Sequence, residues 1–114
     1  MHNRVILTGK LVDDPKLRTL EQRGGSIDIV SLWLEAQSGE RRDRFTIEIY
    51  CPKQQEVAKA MHKGVLAEIT GVLRHDRWKD RQSGRWIGKV FVAIDPAEGK
   101  IRSLGMAEDA DAAA

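Results

Sequence analysis

Two tryptophans, Trp78 and Trp86, stand eight residues apart in the stretch "RHDRWKDRQSGRWIGKV" (Arg74 to Val90). Around them lie six basic side chains: Arg74, Arg77, Lys79, Arg81, Arg85 and Lys89. An indole seeks burial and a guanidinium group refuses it. A ligand that is flat, apolar and negatively charged would suit both. Single strands of nucleic acid have this chemistry, since bases stack on aromatic rings at about 1–3 kcal/mol each while phosphates engage cations. The bland alternative folds both indoles back onto the domain and leaves the cations to solvate a hairpin. For Trp78, set between Arg77 and Lys79 near the hairpin tip, binding is favoured. Trp86 begins a strand in register with Gly88, Val90 and Val92, so a core position and a stacking position are both open.

Catalytic chemistry finds no comparable pattern. Asp13, Asp14, Glu35, Glu40 and Glu48 could in principle hold a metal for phosphodiester cleavage, but their separations and strand phases form no motif. His2, His62 and His75 are scattered without ligand spacing. There is no Gly-rich phosphate loop and no nucleophile–base arrangement. The sequence therefore predicts a binder with no catalytic residues, no metal and no cofactor.

Length and composition bound the rest. The 114 residues suit one compact domain, with 41% hydrophobic and 32% charged side chains. A net charge of +2 would not by itself suggest nucleic acid, but the charge is unevenly spread. Acids crowd the end (Glu108, Asp109, Asp111) while Arg74 to Lys89 is basic, and a local patch attracts a polyanion whatever the total. Cys51 is the only cysteine, so no internal disulfide forms. No apolar run approaches the ~20 residues of a membrane span, and the start lacks a secretory core. A cytoplasmic protein without a membrane partner is expected.

The elements that must position these residues follow from alternation. "NRVILTGKL" turns Val5, Leu7, Gly9 and Leu11 to one face and Arg4, Ile6, Thr8 and Lys10 to the other; "VDDP" then reads as a turn. In Ser26 to Ala36, Val30, Leu32 and Leu34 take the core face, which turns Trp33 outward beside Ser31 and Glu35. An exposed tryptophan on a polar face marks a contact surface, for DNA or for a second subunit. "QSGERR" connects to a third strand, "RFTIEIYC". "PKQQEVAKAMHKG" then reads as a short helix from Pro52 to Gly64, with Val57, Ala60 and Met61 facing the sheet. "VLAEITGVLR" resumes alternation, with Ala67, Ile69, Gly71 and Leu73 on the core side, and "WIGKVFVAI" is the last long strand. Five short strands with a helix between the third and fourth describe an all-β OB-fold, a Greek-key barrel. Residues 1–105 are expected to form this domain and 106–114, including "AEDADAAA", a disordered acidic, Ala-rich tail.

The same segments resemble the bacterial single-stranded DNA-binding protein family. "NRVILTGKLVDDPKLR" is similar to its opening strand and Gly-x-Leu-x-x-Asp-Pro-x-x-Arg turn. "GGSIDIVSLWLEA" resembles its second strand, "EVAKAMHKG" its helix with the closing Lys-Gly, and "ITGVLRHDRWKDRQSGRW" its Glu-Gly-x-Leu-x-x-x-x-Trp hairpin. The resemblance covers roughly residues 3 to 104. It implies an OB-fold that coats single-stranded DNA without sequence preference in replication, recombination or repair, as a homo-oligomer. The chain departs from the family at Phe45, where a tryptophan is usual, and at Cys51, where phenylalanine is common. The family's acidic tip with its terminal aromatic is replaced by "AEDADAAA", which puts tail-mediated recruitment of other replication proteins in doubt. The short form also resembles primosomal replication protein N, a dimeric relative, so a primosomal or protein-interaction OB module is the alternative role.

The expected nucleic-acid surface is thus Trp33, Phe45, Trp78 and Trp86, with Arg4, Lys10, Arg18, Arg74, Arg77, Lys79, Arg81 and Arg85 for phosphates. Lys16 could extend the track. Phe45 matches the family's stacking position, but its face continues into Ile47 and Ile49, which leaves a core role open. Ile6, Leu66 and Val72 lie opposite the core residues of their strands and suit an oligomer interface, of a tetramer or a dimer. Nothing reads a 2′-hydroxyl, so RNA stays open beside DNA.

Overall fold

A computed structural model describes residues 1–107. Seven strands and one helix run in the order β1 (Val5–Leu11), β2 (Lys16–Gln22), β3 (Gly25–Ser38), β4 (Arg41–Ile49), α1 (Pro52–Lys59), β5 (Val65–Lys79), β6 (Trp86–Ile94) and β7 (Lys100–Met106). Five of the strands close on themselves. β1 pairs with β3, β3 with β4, β4 with β6, β6 with β5, and β5 returns to β1. All of these pairings are antiparallel except β4–β6, which is parallel. The ring is the expected five-stranded OB architecture, with α1 between its third and fourth strands, β4 and β5.

The core fills the ring. Leu11, Val30, Leu32, Leu34, Ile47, Ile49, Ile69, Val92 and Ile94 are buried, and they hold the inward phase that alternation assigned them. Gly9 is required where β1 crosses β3: a Cβ there would stand 2.6 Å from the Glu35 carbonyl oxygen and 2.8 Å from Leu34 Cγ. The β3–β4 turn is a two-residue loop, with Ser38 opposite Arg41 and Gly39 at φ +61°, a conformation glycine adopts without strain.

Four expectations need correction. β2 and β7 were not foreseen. Every residue of β2 is exposed, and its leucines at 17 and 20 break period two; in β7 only Ile101 is buried. Lys16 and Arg18 therefore stand on a strand paired to β3 rather than in a turn. The helix stops at Lys59, capped at Ala60, well before Gly64. Its buried residues are Gln55 and Ala58, with Met61 just beyond, while Val57 and Ala60 face outward. The reason is polar: the Gln55 amide donates to the backbone carbonyls of Asp28 (2.7 Å) and Ile49 (2.8 Å), which ties that face of the helix to β3 and β4. Leu73 keeps the core phase of β5 but is exposed: it lies beyond Gly71, where β1 stops pairing with β5.

Of the expected tail, Met106 ends β7 and packs against the core; residues 108–114 lie outside the described residues. Among the described residues, no helix is long and apolar enough to cross a membrane.

Candidate nucleic-acid interface

The β5–β6 hairpin projects from the ring because β4 pairs with β6 only from Ile47/Val92 to Ile49/Ile94, whereas β5 pairs with β6 out to Lys79/Trp86. Its turn, Asp80 to Arg85, is held by the Asp80 amide donating to Arg85 O (2.8 Å) and the Gly84 amide donating to Asp80 O (2.9 Å). The Asp80 carboxylate accepts the Ser83 hydroxyl (2.7 Å) and amide (3.1 Å). Those hydrogen bonds hold its pKa below the ordinary carboxylate value. Arg81 and Arg85 are exposed in this turn.

Register separates the two indoles. Trp78 lies opposite Ile87 and Trp86 opposite Lys79, and side chains alternate faces along a strand. Val72, Arg74, Asp76 and Trp78 therefore share the outer face with Ile87, Lys89, Phe91 and Ala93. Leu73, His75, Arg77 and Lys79 share the inner face, which continues the core phase, with Trp86, Gly88, Val90 and Val92. Trp78 is 46% exposed and Trp86 64%. Trp86 is thus a surface residue, with the Arg77 guanidinium 5.5 Å from its ring centroid.

Trp33 stands on the outer face of β3 opposite Thr46, 50% exposed. Arg44, opposite Glu35, lays its guanidinium 5.7 Å from the Trp33 ring centroid and is also paired to Glu35 at 3.1 Å. Arg44 was not among the expected residues, although a two-residue turn at Gly39 would have fixed its register. From Arg44 a groove of about 640 Å³ runs past Lys10, Glu35, Arg42 and Lys63. Four cations against one carboxylate give it a positive field suited to phosphates.

Between Trp33 and the hairpin lies a network that sequence reading missed. Glu48, opposite Ser31, is 2% exposed although it points to the outer face. Its Oε1 accepts Lys89 Nζ (2.7 Å) and Arg18 Nη2 (3.0 Å), and its Oε2 accepts the Tyr50 hydroxyl (2.6 Å). Burial raises the Glu48 pKa, but the hydrogen bonds from Lys89 and Tyr50 and the charges of Lys89 and Arg18 outweigh it, so the carboxyl lies below the ordinary value. Burial, and then the bond to Glu48 and its charge, raise the Tyr50 hydroxyl well above its usual range. Phe91, beside this network and beneath Lys89 Nζ at 5.2 Å, is itself buried. Only alternation within β4 hinted at Glu48, as an acid between two isoleucines.

The other expected residues fall as follows. Arg74, opposite Phe91, belongs to the outer face, and Lys10 to the basic groove. Arg18 is committed to Glu48. Arg4 is exposed and immediately precedes β1, next to Val5, which pairs with Gly71 of β5. Phe45 keeps the phase of Ile47 and Ile49 yet is 38% exposed, because it sits where β4 has parted from β6. Ile6 is exposed and Leu66 and Val72 are half-buried. Ile6 and Val72 are diagonal neighbours on the β1–β5 seam, while Leu66 lies opposite Lys10, beyond Thr8 and Glu68. Among the described residues, no group of three or more His, Cys, Asp or Glu is placed to hold a metal ion.

Comparison with known proteins bears on the family and the fold. A single-stranded DNA-binding protein of Thermosynechococcus vestitus is 32% identical over 82 residues, 72% of this chain and 68% of that protein. Single-stranded DNA-binding protein 1 of Nostoc sp. is 26% identical over 109 residues, 96% of this chain and 88% of that protein. The fold is that of a solved Plasmodium falciparum SSB complex with ssDNA, at TM-score 0.77 and 17% identity, covering 91% of this chain and 96% of that one. Residues 2–95 match the model of the single-strand binding protein family, a family of DNA-binding proteins and not of enzymes, and to that family this chain belongs.

Proposed function

We propose that the protein binds and coats single-stranded DNA along the outer face that joins Trp33 to the β5–β6 hairpin. The observation that carries this is the outward pair of half-exposed indoles, Trp33 beside Arg44 on β3–β4 and Trp78 on the outer face of the hairpin with Arg74, the two linked by the Glu48–Lys89 ion pair. Bases stack on the indoles, and the Lys10–Arg42–Arg44–Lys63 groove receives the backbone. Stacking and phosphate contacts tolerate any base, so binding is independent of sequence. DNA in replication, recombination or repair is the ligand class, in the cytoplasm.

The protein acts as a homo-oligomer, tetramer or dimer, since several short grooves in one particle raise the effective concentration of a bound strand. Among the described pairings, β1 meets β3 only at Lys10 and Leu11, which leaves Val5 to Thr8 one backbone edge on which a twin strand can pair. Ile6 and Val72 supply apolar surface beside that edge.

Tryptophan fluorescence titrated with oligo(dT) and with duplex tests the reading. Single strands should quench it and duplex should do so weakly at matched salt. Trp33→Ala and Trp78→Ala should each weaken binding by about 1–3 kcal/mol with little change in melting temperature. Equal affinity for the two forms of DNA, or a mutant that melts far lower yet binds as before, would refute the stacking role.

A further inference from the structure

The opposite face of the hairpin carries a second set of stacking groups that the outer track cannot use. Trp86 and Trp78 point to opposite sides of a two-stranded ribbon, so one unbroken stack of bases cannot include both. On the inner face Trp86 lies under Arg77. The His75 ring covers Gly88, occupying the space a Cβ would fill. Val90, opposite His75, is 59% exposed. Trp86, the His75 ring and the apolar Val90 thus follow one another along the ribbon, with Arg77 and Lys79 beside them.

Charge identifies the occupant. The inner-face positions of β5 beyond the ring are Leu73, His75, Arg77 and Lys79, and those of β6 are Trp86, Gly88 and Val90. None is acidic. The same face of a second copy would bring the same cations against it, whereas a polyanion with flat bases meets both its charge and its rings. We propose that this inner face is a second stacking track for single-stranded DNA, reached when a strand longer than the outer track passes around the hairpin. The inference rests on the outer face being the first track.

Short and long oligo(dT), of about 8 and about 30 nucleotides, separate the two, since one OB groove holds roughly 4–16 nucleotides. Trp86→Ala should weaken the long strand about tenfold and leave the short one within about twofold. Trp33→Ala should weaken both. In a Trp33→Phe, Trp78→Phe chain, Trp86 is the sole remaining indole, and its fluorescence should be quenched by the long strand and not by the short one. Equal loss for both lengths in Trp86→Ala would place Trp86 on the first track and overturn the proposal. No loss for either length, or a smaller particle by light scattering, would overturn it in favour of a solvated or protein-binding face. Should Trp33→Ala and Trp78→Ala weaken neither length, the outer track itself fails, a result distinct from any of these.

Discussion

Glu48→Gln tests the idea that a buried carboxylate organises the nucleic-acid face. The carboxylate is 2% exposed and accepts three hydrogen bonds, from Lys89, Arg18 and Tyr50. A hydrogen bond to a charged group contributes about 1.5–3 kcal/mol. Here Arg18 and Lys89 remain half-exposed and can return to water, and glutamine keeps one acceptor oxygen. The expected loss at neutral pH is therefore only about 1–3 kcal/mol, or roughly 4–8 °C in melting temperature per kcal/mol. Acid should remove the difference. The folded-state pKa of Glu48 is depressed, so its contribution is complete above the unfolded value near 4.5 and is lost as pH falls through the lower folded value. Urea unfolding of both proteins from pH 7 downward should show the gap closing below about pH 4.5. A gap that persists unchanged in acid would mean that shape, and not charge, is what the substitution removed. DNA binding supplies a second readout. Freeing Arg18 and Lys89 allows up to two more phosphate contacts, which steepens the slope of log K against log salt by about 0.7 each. An unchanged slope would show that Glu48 does not withhold those cations from DNA.

Gly9→Ala should destabilise the domain by about 1–3 kcal/mol in urea, because the new Cβ meets the Glu35 carbonyl and Leu34, neither free to move; wild-type stability would show that the crossing of β1 and β3 is looser than described. Ile6→Glu should shift the light-scattering mass toward the monomer, since it places charge beside the open edge of β1. An unchanged oligomer would move the interface elsewhere on the molecule.

The ring was legible in the sequence because its strands obey period two where they are half buried. Val30, Leu32 and Leu34, or Ile47 and Ile49, could face only the core, and Trp33 had to point away from it. β2 escaped notice for the complementary reason: with no buried residue it has no alternation to read, and its pairing is directed by β3 and the positive-φ glycines at 24 and 25. The helix misled because apolar spacing counted for Val57 and Ala60, while the burial was decided by a polar side chain, Gln55, that completes backbone hydrogen bonds. Glu48 stood in the sequence only as one of several unpatterned acids, because two of its partners, Arg18 and Lys89, come from distant parts of the chain.

The two hairpin indoles combine both kinds of information. Trp78 is out of phase with Ala67, Ile69 and Gly71, which are buried along β5, and Trp86 is in phase with Val92 and Ile94, buried along β6. Those anchors fix which side each indole takes, provided neither strand carries a bulge between anchor and tip, and the β5–β6 register is continuous from Val72/Ala93 to Lys79/Trp86. Opposite faces therefore follow from alternation alone. Exposure does not. An inward-phase tryptophan would be core if the ring extended to it. Trp86 lies at the surface because β4 stops pairing with β6 at Ile47/Val92, six residues short of it. A long-range pairing thus converts a core-phase position into a second exposed ring, and gives one hairpin two faces on which a base can stack.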